Sequence, residues 1–138
     1  MIQWDKQYEI GIKAIDDQHK ELINITSKLS ELLTNATDGD DIYDQMVEII
    51  ESLTNYTVYH FKYEEILFHK FDYEFKDAHI DEHNKLIAQI ENLDLRAVDE
   101  DQILYGKKIL KFLISWVFKH ISGSDFLYKD LFIKNGIQ

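Results

Sequence analysis

Residues 46–67, MVEIIESLTNYTVYHFKYEEIL, carry apolar side chains at spacings of three and four residues. This spacing predicts an amphipathic α-helix, because residues three and four apart lie on the same helix face. The residues of that face are Met46, Ile49, Leu53, Tyr56, His60, Glu64 and Leu67. The apolar face therefore continues into a histidine and a glutamate at positions where the pattern expects core residues.

The same helical period extends through the rest of the chain. Proline is absent and glycine occurs only five times, so few residues interrupt a helix. Four helices are predicted from capping residues and breaks in the apolar pattern. Their predicted bounds are Asp16 or Asp17 to before Thr37, Asp40 or Asp41 to the Phe71–Tyr73 region, about Phe75 to Leu93, and about Asp99 to Gly123.

Short polar connections between such helices favour antiparallel neighbours, because a short loop cannot return the chain to the far end of a bundle. The predicted fold is all-α, an up-down-up-down antiparallel four-helix bundle that forms one domain over residues 1–138. The first fifteen residues, with Trp4, Tyr8 and Ile10, are expected to form an irregular arm on the bundle. Residues 126–133 are expected to dock as a short C-terminal helix.

Composition excludes several classes of function. The 26 acidic and 15 basic residues give a formal net charge of −11, which repels phosphate backbones and anionic lipids, so neither nucleic acid nor a membrane is an expected partner. The most apolar run, residues 109–118, is too short to span a bilayer, and a cytoplasmic protein is expected. Cysteine is absent, so any metal must be bound by nitrogen and oxygen ligands.

Five of the six histidines occupy positions on the predicted helices where the apolar pattern expects a core residue. These five are His19 on the first helix, His60 on the second, His79 and His83 on the third, and His120 on the fourth. His69 lies nine residues after His60, about half a turn round the helix, so it is expected to be exposed and not a ligand.

Two pairs spaced four residues apart add to this pattern: His60 with Glu64, and His79 with His83. Side chains four apart lie on one face, so both members can reach the same point. Asp125 lies five residues after His120, which would rotate it away in an unbroken helix. Gly123 can provide the irregular backbone that brings the Asp125 carboxylate back.

Each of these features has an ordinary structural explanation when taken alone. His60 and Glu64 resemble a surface ion pair, and a lone histidine on an apolar face is usually a hydrogen-bonded core residue. Taken together, five imidazoles and two carboxylates would be buried without partners, at a cost of several kcal/mol or so per charged group. A metal centre removes that cost.

The donor set indicates which metal. Seven nitrogen and oxygen donors exceed the four of a structural zinc site and favour six-coordinate iron, with manganese or cobalt as substitutes. Two ions can share seven ligands only if the carboxylates bridge them. With an oxo or hydroxo bridge from solvent as well, three histidines complete one six-coordinate ion, and the other two histidines leave the second ion one ligand short for a small molecule. Glu64 and Asp125 are the predicted bridges.

At this point the sequence resembles the hemerythrins, including the bacterial ones, over nearly its whole length. The segments that carry the resemblance are residues 10–12, 15–19, 60–65, 79–83 and 116–121 with Asp125. The resemblance implies the four-helix bundle, reversible binding of molecular oxygen without turnover of a substrate, and two bridged non-haem iron ions. The implied ligands are His79, His83 and His120 for one iron, His19 and His60 for the other, and Glu64 and Asp125 as bridges.

Oxygen would bind at the iron held by His19 and His60. Residues beside the ligands would line its pocket: Leu22, Phe61, Trp116, Val117 and Ile121. Val117 departs from the family, which often has leucine there, and a smaller side chain would loosen the pocket.

The residues leave other roles open. A di-iron oxidase or peroxidase is one alternative, although the Glu-x-x-His pairs of oxygen-activating ferritin-like sites are missing from this sequence. A second alternative is an oxygen or redox sensor that acts through a separate signalling partner. Oxygen storage, transport and delivery to an oxygen-consuming protein all use the same site.

Overall fold

The computed structural model describes residues 2–137, apart from the side chain of Ser124. Met1 and Gln138, the two ends of the predicted domain, lie outside the described residues. All regular secondary structure in the described chain is helical. The α-helices are α1 (Lys13–Asn35), α2 (Tyr43–Lys70), α3 (Lys76–Glu91), α4 (Leu95–Val98), α5 (Gln102–Ser122) and α6 (Lys129–Lys134), with 3₁₀ turns at Lys6–Tyr8 and Ser124–Phe126.

Four long helices, α1, α2, α3 and α5, form the predicted up-down-up-down bundle. The start of α1 and the end of α2 share one apolar cluster, to which Ile15 and Phe68 belong. At the opposite end, a Cβ atom on Gly106 of α5 would lie 2.7 Å from Leu33 Cδ2 and 3.0 Å from Met46 Cε. The end of α1 therefore meets the beginnings of α2 and α5, which is the antiparallel arrangement that short connections predict.

Three predicted helix starts are wrong by a few residues. The first helix begins at Lys13 rather than after Asp16 or Asp17. Asp16 is not a cap, because its carboxylate accepts hydrogen bonds from the backbone N–H groups of Ile10 and Gly11 in the preceding arm. The second helix begins at Tyr43, two residues beyond Asp41.

The fourth predicted helix is divided in two. Asp99 follows the short helix α4, and the long helix α5 begins only at Gln102. Each of the two helices has its own aspartate cap: Asp94 accepts from backbone N–H groups of α4, and Asp101 accepts from Leu104 N. A second capping aspartate close to the first starts a new helix, which the apolar pattern alone did not separate.

The N-terminal arm and the C-terminal helix pack where predicted. Ile10 and Ile12 of the arm are fully buried with Tyr128 and Phe132. Trp4 and Tyr8 lie further along the surface against Val117 and Ile121 of α5. Both terminal segments thus cover the bundle near the ends of α2 and α5, where the polar residues of the core are found.

Gly123 ends α5 and allows the chain to turn towards Asp125. Its backbone angles, φ −110° and ψ −85°, are irregular but not left-handed. A Cβ atom there would lie 2.8 Å from the carbonyl oxygen of Lys119, closer than a side chain tolerates. Glycine is needed because of this close approach, and the turn that follows places Asp125 in the core with no exposed surface.

Candidate metal centre

All seven predicted ligand residues lie together in the interior of the bundle. None is more than 3% exposed. The set comprises His19 on α1, His60 and Glu64 on α2, His79 and His83 on α3, His120 on α5, and Asp125 in the 3₁₀ turn after α5. His69 is exposed at the end of α2, as the half-turn rotation predicts.

Asp125 lies between histidines from four helices. Its Oδ2 atom is 2.5 Å from Nε2 of His19 and 3.6 Å from Nε2 of His60. Its Oδ1 atom is 2.9 Å from Nε2 of His79 and 2.8 Å from Nε2 of His120. The two carboxylate oxygens therefore face two different groups of imidazoles.

Glu64 approaches the same histidines from α2. Its Oε1 atom is 2.9 Å from Nε2 of His60 and 3.6 Å from Nε2 of both His83 and His120. A single oxygen thus faces imidazoles on both sides of the cluster.

The donor atoms form two groups, within each of which the atoms lie within 4.8 Å of one another. One group has donors from Glu64, His79, His83, His120 and Asp125. The other has donors from His19, His60 and Asp125. His79, His83 and His120 thus lie in one group and His19 and His60 in the other, and the carboxylate that both groups share is Asp125.

Several donor atoms in this cluster make no hydrogen bond. Among the described residues these include both carboxylate oxygens of Glu64 and the Nε2 atoms of His60, His83 and His120, although all are buried. Some of these atoms approach a carboxylate oxygen as closely as 2.8 Å without the geometry of a hydrogen bond, and buried polar atoms that make no hydrogen bond are costly. Converging imidazole nitrogens and carboxylate oxygens are ligands that iron and similar divalent cations bind. The cluster therefore fits a metal site.

The charges of the two carboxylates alter the acidity of the histidines. Burial disfavours the charged form of His60, but the charges of Glu64 and Asp125 outweigh it and raise its pKa to about 9. Burial lowers the pKa of His83 to about 3. His60 thus holds a proton at neutral pH that a metal must displace, whereas His83 is already a neutral donor.

The sequence did not predict which polar residues contact the Nδ1 atoms of the predicted ligand histidines, the ring nitrogens that point away from the cluster. The Nδ1 atom of His60 lies 2.6 Å from Oε1 of Gln18, and the Nδ1 atom of His120 lies 3.1 Å from Oε1 of Glu82. Each partner directly precedes a ligand histidine in the sequence, yet it contacts a histidine of a different helix. A polar residue beside a buried histidine is the only sequence signal, and it does not identify the partner.

Two of the predicted pocket residues stack on ligand histidines. The ring of Phe61 lies parallel to that of His83, with centroids 3.6 Å apart and an angle of 3°. The ring of Trp116 stacks on His120 at 4.6 Å and 14°. Both aromatic rings therefore contact the group of three histidines.

The other three predicted pocket residues, Leu22, Val117 and Ile121, are buried. Leu22 belongs to the main core of the bundle, which Phe61 shares. Val117 and Ile121 pack with Ile23 of α1 in a separate cluster, against which Trp116 also packs. The five residues thus belong to apolar clusters other than the one that contains the C-terminal helix.

Two tyrosines in the apolar cluster that contains the C-terminal helix were not predicted as part of the site. Tyr128 is fully buried, and its ring stacks on His79 at 5.8 Å and 27°. Burial and the charges of Asp125 and Glu64 raise its pKa well above the ordinary value, so its hydroxyl stays protonated. Tyr73 lies beside it, and the same causes raise the pKa of Tyr73 to about 12. The sequence showed Tyr128 only as part of an apolar stretch.

A helical bundle with a buried histidine and carboxylate cluster defines a class of metal-binding four-helix proteins. Residues 10–132 match the hemerythrin HHE cation binding domain. This chain belongs to the hemerythrin family, and the family implies binding of non-haem iron.

Relatives of known name match almost the whole chain. A bacteriohemerythrin of Clostridium acetobutylicum is 34% identical over 130 residues, which is 94% of this chain and 100% of that protein. A bacteriohemerythrin of Pseudomonas paraeruginosa is 31% identical over 92% of this chain and 78% of its own length. A hemerythrin-like protein of Naegleria gruberi is 29% identical over 93% of this chain and 91% of its own.

The membrane prediction was also tested. Within residues 2–137, no helix combines the length and apolar character that crossing a bilayer requires.

Proposed function

We propose that this protein binds molecular oxygen reversibly at a non-haem di-iron centre, for oxygen storage, transport or delivery, and does not turn over a substrate. The observation that carries the proposal is the position of Asp125. One of its oxygens faces His19 and the other faces His79 and His120, which is the geometry that a carboxylate bridging two metal ions needs. The names of the bacterial relatives support the same conclusion.

The proposed ligands fall into two unequal sets. His79, His83 and His120 would hold one iron, while His19 and His60 would hold the other, and Glu64 and Asp125 would bridge the two. Because the second set has one histidine fewer, it leaves a coordination position for a small molecule. Iron bound there would supply the electrons that reversible oxygen binding needs.

The protein residues around the cluster would control access. Leu22, Phe61, Trp116, Val117 and Ile121 are the proposed pocket residues. Their apolar surface disfavours the entry of water and anions, which would compete for the open position. The stacked rings of Phe61 and Trp116 also hold His83 and His120 in place.

The hydrogen bond between His60 and Gln18 orients one of the two histidines beside the open position. When Nδ1–H of His60 donates a hydrogen bond to the amide oxygen of Gln18, the lone pair of Nε2 faces the cluster and is free to bind a metal. The protein thus sets the tautomer that a metal ligand requires.

The visible absorption spectrum of the iron-loaded protein tests the proposal. It is recorded after anaerobic reduction, then in air, and again after the oxygen is removed. We expect a band that appears in air and disappears on deoxygenation. Irreversible conversion in air would instead indicate a redox enzyme or a sensor, and failure to take up iron would refute the proposal.

Two histidine variants on the same helix provide the matched comparison. His60→Ala removes a proposed ligand and is expected to abolish the reversible band. His69→Ala removes an exposed histidine nine residues away and is expected to leave the spectrum unchanged. Equal spectra from the two variants would contradict the ligand assignment.

A further inference from the structure

The group of three histidines and the group of two differ in the charge of the residues beside their Nδ1 atoms, which point away from the cluster. In the group of three, Nδ1 of His120 lies 3.1 Å from the carboxylate of Glu82, and Nδ1 of His83 lies 3.6 Å from that of Glu65. In the group of two, His60 has the neutral amide of Gln18 at 2.6 Å. Neither His19 Nδ1 nor His83 Nδ1 makes a hydrogen bond with any described residue, so Glu82 is the charged group that is hydrogen-bonded to one of these outward nitrogens.

The hydrogen bond to Glu82 connects the buried cluster with the surface. The side chain of His120 is 1% exposed, whereas that of Glu82 is 38% exposed. Glu82 also lines an open cleft of about 130 Å³ together with Phe75, Ala78, His79 and Leu127. Because Glu82 is partly exposed, its carboxylate does not bear the desolvation cost of full burial while it accepts the Nδ1–H of His120.

We propose that Glu82 is a positioning residue for the metal centre: its carboxylate orients His120 and gives the three-histidine ligand set an anionic outer partner that the two-histidine set lacks. This inference rests on the proposed di-iron centre. It makes the two metal positions unequal through residues that are not ligands.

The physical reason lies in the tautomer and the basicity of the imidazole. When Nδ1–H donates a hydrogen bond to a carboxylate, Nε2 carries no proton and is free to bind a metal. Its electron density is then higher than when Nδ1–H donates to a neutral amide. Loss of such an outer partner typically weakens metal binding by about 10- to 100-fold. The three-histidine set should therefore bind its ion more tightly, and Glu82 should contribute to that difference.

Titration of the metal-free protein with Co²⁺, followed by calorimetry and by visible absorption, tests this inference. The wild-type protein is expected to bind two ions in two steps of different affinity. Glu82→Gln keeps an acceptor but removes the charge, and it is expected to weaken the tighter step by about tenfold. Glu82→Ala removes both and is expected to weaken that step further, towards about 100-fold.

Two further variants separate this effect from general changes in charge or fold. Asp81→Asn removes the same charge from the adjacent residue of α3, which is 64% exposed and paired with Lys85, and it should leave both steps unchanged. Gln18→Ala should weaken the other, looser step. Thermal unfolding of the metal-free variants identifies any that do not fold, and Glu82→Gln then carries the test if Glu82→Ala fails.

The outcomes distinguish this inference from the proposed function. A wild-type protein that binds fewer than two Co²⁺ ions would overturn the di-metal centre itself. If the wild-type protein binds two ions but Glu82→Gln and Glu82→Ala show the wild-type isotherm, only the role of Glu82 is refuted. Equal weakening of both steps by folded Glu82 variants would likewise overturn the assignment of Glu82 to one ligand set.

Discussion

Asp16 is expected to be the main anchor of the N-terminal arm. Its Oδ1 atom accepts a hydrogen bond from Ile10 N at 2.8 Å, and its Oδ2 atom accepts one from Gly11 N at 3.0 Å. Hydrogen bonds to a charged group contribute roughly 1.5–3 kcal/mol each. Asp16→Ala removes both hydrogen bonds but also removes the cost of burying a carboxylate. The net effect should be a free energy of unfolding that is lower by about 2–4 kcal/mol.

The neighbouring aspartate provides a matched control. Asp17 forms an ion pair with Lys13 on the surface, where the two side chains are 50% and 83% exposed. Such exposed pairs are screened by water, so Asp17→Ala should leave the free energy of unfolding within experimental error of the wild type. Both variants remove one carboxylate from the first turns of α1, and they differ in whether that carboxylate holds the arm.

Urea unfolding of the metal-free protein, followed by far-ultraviolet circular dichroism, measures the effect. The three proteins should unfold with the same dependence on urea, so that the shift in midpoint reports stability alone. Asp16→Asn retains one acceptor and should fall between the wild type and Asp16→Ala. Equal unfolding free energies for Asp16→Ala and Asp17→Ala would refute the assignment of the anchor to Asp16.

Three further predictions concern the metal centre and the C-terminal helix. The affinity of the metal-free protein for Co²⁺ should rise with pH up to about 9, because the metal must displace a proton from His60 below the raised pKa of that residue. Equilibrium dialysis from pH 6 to 9 measures the affinity, and an affinity that does not change with pH would contradict the prediction. Gly123→Ala should weaken Co²⁺ binding by about 1–3 kcal/mol, because the added Cβ would lie 2.8 Å from a backbone oxygen and shift the turn that carries Asp125. An unchanged binding isotherm would show that the turn accommodates the methyl group. Phe132→Ala should lower the free energy of unfolding by about 3–5 kcal/mol, because Phe132 is fully buried. Ile133→Ala in the same helix should lower it much less, because Ile133 is 46% exposed. Equal losses of stability in urea unfolding would mean that Phe132 does not dock this helix.

Local patterns predicted most of the fold. The spacing of apolar residues located the four long helices, since the helical repeat is a property of short segments. Helix starts were less well predicted, because an aspartate near a helix end can cap that helix or accept hydrogen bonds from elsewhere in the chain. Asp16 binds the arm, whereas Asp101 caps α5. Asp16 accepts from residues five and six positions before it, whereas Asp101 accepts from a residue three positions after it, and the apolar pattern does not show which of the two an aspartate will do.

The sequence by itself determined that the bundle forms and that the five core histidines and Glu64 are buried in it, because periodicity decides which side of a helix faces inwards. Only the tertiary structure decided which atoms meet. The division of the histidines between the two oxygens of Asp125 depends on the rotation and spacing of the helices and on the turn at Gly123. Gln18 contacts His60 rather than the adjacent His19, because adjacent residues of a helix point about 100° apart while residues of neighbouring helices can face each other across the core.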